Sequence, residues 1–118
     1  MQVIYEYMFI YKRCSCSTKS SLNKNIQTVS LSLSDLLKLV SVPARLSILF
    51  LLEEKPHCVC DIEAHTNFSQ SLISHHLSDL ISAGVVRNYK TGKFVEYELT
   101  EKGKSLVKTL KGLNKEIN

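Results

Sequence analysis

The sequence contains no run of about 20 apolar residues, the length a helix needs to cross a bilayer, so no membrane role is expected. Its 4 glycines never gather into a loop that could cradle a phosphate. No carboxylate pair sits in a helical or loop setting suited to acid–base work, and no nucleophile stands beside a base with an orienting third group. The neighbours His57 and Cys58 do not supply one, because residues adjacent in sequence seldom face each other across a reacting bond. These absences argue against an enzyme. There is no internal repeat. Two narrower gaps also matter: no acid lies between residues 80 and 95, and no histidine follows His76.

What is present suits one soluble domain. The 118 residues are 44% apolar and 22% charged, enough for a modest core and small enough to favour pairing with a second copy. The net charge of +4 permits a polyanion partner, so the placement of the charges decides more than their sum. The opening stretch MQVIYEYMFIYKR has its basic pair after the apolar run, whereas a secretory signal has it before. A cytoplasmic protein with an ordered N-terminal arm is therefore expected. The cysteines form two pairs, Cys14 with Cys16 and Cys58 with Cys60. In an oxidising compartment such an even count suggests disulfides; in the cytosol it points to metal or redox chemistry.

The polar stretch SCSTKSSLNKN reads as a flexible link, so residues 1–30 are assigned to arm and link and residues 31–118 to the domain. Ser34 is expected to cap a helix entering SLSDLLKLV. Pro43 breaks that helix and suits the first position of the next, which carries Leu46, Ile48, Leu49, Phe50 and Leu52 and ends at Lys55-Pro56. A short helix over Cys60–Thr66 follows, with Ile62 inward. Asn67 tolerates the positive φ of a tight turn, and Ser69 caps a helix over Gln70–Ala83 whose buried stripe is Ile73, Leu77, Leu80 and Ile81. Gly84 ends it. VVRNYKTGKFVEYEL alternates around Thr91-Gly92 as a β-hairpin. Thr100 caps a last helix with Leu106, Leu110, Leu113 and Ile117 along one seam, for which a partner helix from another subunit is expected.

Helix, tight turn, helix and basic hairpin make a mainly α fold with a small β-hairpin, in the order of a homodimeric winged helix-turn-helix. Such a fold places its second helix in the major groove of double-stranded DNA and its hairpin along the flanking backbone. The outward residues of that helix, Gln70, Ser71, Ser74, His75 and Ser78, bear short or planar hydrogen-bonding groups suited to base edges and phosphates. Arg87, Lys90 and Lys93 supply the hairpin's positive charge, although solvated cations are the ordinary content of a surface turn. His75 and His76 point about 100° apart on a helix, so a shared metal ion is not expected there. His75 should face the groove, and His76 should pack partly against the domain.

The motifs VPARLSILFLL, CVCDI, SQSLISHHLSDLISAGVV and RNYKTGKFVEYEL together resemble the ArsR/SmtB family of metal-responsive transcriptional repressors. The resemblance covers about residues 36 to 102. It implies a homodimer in which the first and last helices of each subunit pack on the other, and a metal box at Cys58 and Cys60 to which N-terminal thiols add ligands across the dimer. Cys14 and Cys16 would be those thiols. Their close spacing departs from the wider one of the similar branch, and HTNF stands where the family more often has Leu-Gly-Leu. Without a histidine after His76, the site some members build on the last helix is not expected.

In an ideal helix, positions two apart diverge by about 200°, so Cys58 and Cys60 converge only if Cys58 lies outside the helix entrance. A helix N-terminus favours thiolate. Thiolates select soft ions such as Cd(II), Pb(II), Zn(II) or As(III), and two thiols need further ligands. Cys14 and Cys16 are the remaining cysteines; His57, Asp61 and His65 are weaker candidates. Two small buried hydrophobes, a permanent zinc staple and a thiol switch are the competing readings of Cys58 and Cys60. For Cys14 and Cys16 the competing reading is an arm that carries them without purpose. The expected function is a repressor on a two-fold operator that metal releases by tethering the arm to the helix carrying Cys60. A thiol-redox-switched or metal-independent regulator, or a winged-helix protein-interaction module, is the alternative.

Overall fold

A computed structural model describes residues 21–117, and the arm with Cys14 and Cys16 lies outside them. Helix α1 spans Ser21–Val40. The expectation of a flexible link reaching residue 25 is thereby corrected, and Ser34 lies inside the helix rather than capping one. The reason is periodicity: Ile26, Val29, Leu33 and Leu37 recur every three or four residues, and one amphipathic helix outweighs the many serines between them. All four of these side chains are exposed. The described residues divide into two units, one up to residue 33 and the other from residue 34 onward. Among the described residues, no helix is long and apolar enough to cross a membrane.

The second unit holds the core. Pro43 opens helix α2, Pro43–Glu54, where its missing N–H leaves no bond unmade, and Lys55 before Pro56 turns extended to end it. Ile48, Leu49 and Leu52 of α2 are buried with Ile62 of helix α3, Val59–Thr66, and with Ile73, Leu77 and Leu80 of helix α4, Gln70–Ser82. Asn67 has φ 62° and ψ 11°, and the Ser69 hydroxyl accepts from the Leu72 amide at 3.2 Å, so both turn residues act as expected. Gly84 takes φ 78°, and the Val85 amide returns to the Leu80 carbonyl to close α4.

Strands β2, Val86–Thr91, and β3, Phe94–Leu99, pair antiparallel across a turn in which Gly92 has φ 63°. A short strand absent from the sequence reading, β1 (His57–Cys58), adds to the other edge of β3 in the order β1-β3-β2. Its register sets His57 opposite Tyr97 and Cys58 opposite Glu96. Helix α5 runs Glu101–Ile117, with the Thr100 hydroxyl accepting from the Gly103 amide at 3.1 Å. A Cβ on Gly103 would lie 2.1 Å from the Val85 carbonyl oxygen, so only glycine permits this approach. The expected apolar seam of α5 divides: Leu106 and Leu110 pack on the core beside the buried Val107, and Leu113 and Ile117 stay exposed.

Candidate nucleic-acid interface and thiol cluster

Helix α4 is held by one face and offers the other. Its apolar stripe is buried, while Gln70, Ser71, Ser74, His75 and Ser78 are exposed along the opposite side. No acidic residue occupies its first turn, so its free N–H groups and positive dipole end are open to an anion. His76 is buried, more deeply than the sequence suggested, and its Nδ1 accepts from the Arg45 Nε at 3.1 Å. Arg45 also reaches Asp79, one turn further along α4, and donates to the Leu39 carbonyl at 3.1 Å. One α2 guanidinium thus fastens α4 to the end of α1, a role no local sequence signal reveals.

The hairpin keeps Lys90 and Lys93 exposed at its tip. Arg87 is less free, because its Nε lies 2.6 Å from the Glu98 carboxylate directly across the ladder. The sequence gap in acids between residues 80 and 95 concealed this partner, which cross-strand pairing supplies. Tyr89 donates to Glu96 at 3.1 Å; burial, then this carboxylate, pushes the phenol's pKa up.

At the other edge of the sheet, Cys58 sits in extended conformation just outside α3 and Cys60 one residue inside it. The two sulfurs and a carboxylate oxygen of Asp61 lie within 4.8 Å of one another. The requirement that the sulfurs converge at the helix entrance is therefore met, and two unrelated buried hydrophobes are not what the cluster looks like. Cys58 is half-buried and Cys60 exposed. One expectation is corrected: the Cys58 thiol is pushed up rather than down, by its contact with the Cys60 sulfur and by burial, which outweigh the Asp61 amide. The same cluster holds the Asp61 carboxyl below its ordinary range, chiefly through the Cys58 thiol. Two thiols and a carboxylate suit a soft or borderline cation, which would displace the thiol protons. Of the weaker candidates, His57 is buried beside Asp61 and His65 is exposed, its ring edge-on to His57 at 5.9 Å between centroids.

Known proteins share this fold and much of this sequence. The sequence model described as "Bacterial regulatory protein, arsR family" matches residues 42–88. An arsenical resistance operon repressor of Staphylococcus xylosus is 42% identical over 67 residues, 57% of this chain and 64% of that protein. The chain thus spans somewhat under two thirds of that relative. The transcriptional repressor SdpR of Bacillus subtilis is 37% identical over 67 residues, 57% of this chain and 74% of its own length. Among solved structures, the transcriptional regulator HlyU of Vibrio vulnificus is similar with a TM-score of 0.67 and 33% identity, over 76% of this chain and 95% of that one.

Proposed function

The chain belongs to the arsR family of bacterial regulatory proteins, and from that we propose a cytoplasmic transcriptional repressor that releases its operator when a soft metal or metalloid ion binds its cysteine thiolates. The observation that carries the sensing half is the convergence of Cys58, Cys60 and Asp61 donor atoms within 4.8 Å. The DNA half rests on the exposed polar face of α4 and on Lys90 and Lys93 at the hairpin tip. Gln70, Ser71, Ser74 and His75 read or position in the major groove; Arg87, Lys90 and Lys93 follow the flanking phosphates.

The repressor works as a homodimer on a two-fold site of double-stranded DNA. Supporting this, Ile26, Val29, Leu33 and Leu37 form an exposed stripe on α1, and Leu113 and Ile117 are exposed on α5; a second copy would shield such surfaces. Cadmium, lead, zinc and arsenite are the effector class, arsenite being favoured by the S. xylosus relative's name. Cys14 and Cys16 are the thiols the arm would add. Binding at Cys58 and Cys60 acts on α3 and on β3, the two elements flanking the DNA-facing surfaces. A coupling of about 1 to 3 kcal/mol is enough, and linkage requires DNA to weaken ion binding by the same factor.

The test titrates Cd(II), Zn(II) and arsenite into the reduced protein on an operator fragment, following thiolate-to-metal absorption and DNA release together. Both should saturate in step, and Cys58→Ser should abolish both. Ion saturation with unchanged operator affinity overturns the sensing mechanism. Failure to retain any DNA from its own promoter region favours a protein-interaction module instead.

A further inference from the structure

We propose that Phe94, backed by Tyr89, makes an apolar contact inside the minor groove of the DNA that flanks the major groove taken by α4. The proposal rests on the DNA-binding reading and adds to it a residue whose contribution is not electrostatic.

The hairpin register decides which side chains share this surface. Val86 and Leu99 pair across the ladder and are both buried, so their face of the sheet looks to the core. Side chains alternate along a strand, and directly paired residues share a face. The outward face therefore carries Arg87 with Glu98, Tyr89 with Glu96, and Thr91 with Phe94 at the tip. Phe94 is 60% exposed and Tyr89 39%, and the two are diagonal neighbours on that face. A single exposed apolar side chain is ordinary, whereas two aromatic rings at neighbouring positions of one face form a patch.

The charges around the patch choose its partner. Lys90 and Lys93 are exposed beside it. The two acids on the same face are both engaged: Glu98 faces the Arg87 Nε at 2.6 Å, and Glu96 accepts from the Tyr89 hydroxyl at 3.1 Å. The tip is also narrow, because Gly92, at φ 63°, and Lys93 alone connect the strands. A slim tip with a phenyl ring between cations is the complement of the minor groove, where two rows of phosphates border walls of sugar carbon. Apolar side chains are used there to press on sugars or to wedge between base steps. Such a contact is indifferent to salt and sensitive to the guanine amino group, which stands in that groove.

The experiment follows fluorescence anisotropy of the full-length reduced protein on a labelled fragment of its own promoter region across a salt series. Phe94→Ala should weaken binding about fivefold or more, the size expected when part of a phenyl ring loses an apolar contact. The slope of log affinity against log salt should stay that of the parent, whereas Lys93→Ala should reduce it by about 1. Phe94→Leu keeps apolar bulk and should remain within about twofold of the parent. A second arm places G·C pairs at both edges of the protected stretch, then replaces them by inosine·cytosine, which removes only the minor-groove amino group. That change should strengthen binding by the parent and leave Phe94→Ala unaffected. Melting serves as the folding control, and an exposed ring should leave it unchanged. Parent-like affinity of Phe94→Ala overturns the proposal, as does a loss that comes with a lower salt slope. Indifference of the parent to inosine overturns it without recourse to any variant. If the parent retains no promoter DNA, the DNA reading itself falls; if it binds and Phe94→Ala binds as well, only the role of Phe94 falls.

Discussion

Arg45 donates from Nε to Nδ1 of His76, 3.1 Å away, which fixes the buried imidazole as neutral with its proton on Nε2. Burial first, then the Arg45 guanidinium and the neighbouring His75, lower the His76 pKa from 6.5, against the opposing pull of Asp79. The unfolded chain, with the ordinary value, therefore binds this proton at a higher pH than the fold does. Stability from this group is full above pH 6.5 and declines as pH falls through the window below it, to the lowered folded value. Denaturant unfolding followed between pH 8 and pH 5 should show that decline. His76→Asn keeps an acceptor near Nδ1 and removes the titration, so its curve should be flatter.

Replacing Arg45 by methionine tests the fastening of α4 from the other end. The apolar stem remains while the His76 nitrogen, the Asp79 carboxylate and the Leu39 carbonyl all lose their donor. A loss of about 2 kcal/mol is expected, because the pair is only part-buried and water recovers some of it. Arg45→Lys should restore little, since one ammonium cannot span three acceptors. Equilibrium unfolding measures both.

Gly103→Ala should be far more damaging than a glycine-to-alanine change in a helix usually is. Helix propensity favours alanine by about 1 kcal/mol. Here the new Cβ would sit 2.1 Å from the Val85 carbonyl oxygen, on backbone that also accepts the Thr100 amide. A net loss of at least about 2 kcal/mol is expected, read as a lower melting temperature. Gly112→Ala, with open space around it, should be neutral or stabilising.

On the hairpin, Lys90→Ala and Lys93→Ala should each weaken operator binding regardless of sequence and reduce the slope of log affinity against log salt by about 1. Arg87→Ala should do less, because its guanidinium already faces Glu98 at 2.6 Å. Glu98→Gln would free it and should raise affinity at low salt. Fluorescence anisotropy across a salt series distinguishes the three cations.

The helix-turn-helix was legible in the sequence because each of its joints is chemically marked: Pro43 at an entry, Asn67 at the left-handed turn, Ser69 at the cap and Gly84 at the exit. The convergence of Cys58 and Cys60 was legible too, once one of them was put outside α3. Other features were not, for physical reasons. The start of α1 was hidden by a serine-rich composition whose apolar period is spread over many residues. Strand β1 is two residues long and exists only through its pairing with β3, so no local alternation announces it. The Arg45–His76 and Arg87–Glu98 contacts join residues 31 and 11 positions apart, and nothing in spacing predicts them. The lowered thiol pKa expected at a helix entrance gave way to the Cys60 sulfur beside Cys58 and to burial, which together outweigh the Asp61 amide.

The pairing of Cys58 with Glu96 has a mechanical side. Strand β3 is shared: one edge pairs with the strand of Cys58, the other with the strand of Arg87 and Lys90. Under the proposed function, a pull on Cys58 would load these ladder bonds, and β3 would carry the load into the hairpin as a crossbeam. Helix α4 is held by Arg45 and by Ile73, Leu77 and Leu80, which share one core with Val86 and Leu99 of the hairpin. Under the proposed function, a small load at the sulfurs would reach hairpin and helix through this one packed unit and spoil their simultaneous fit to one duplex.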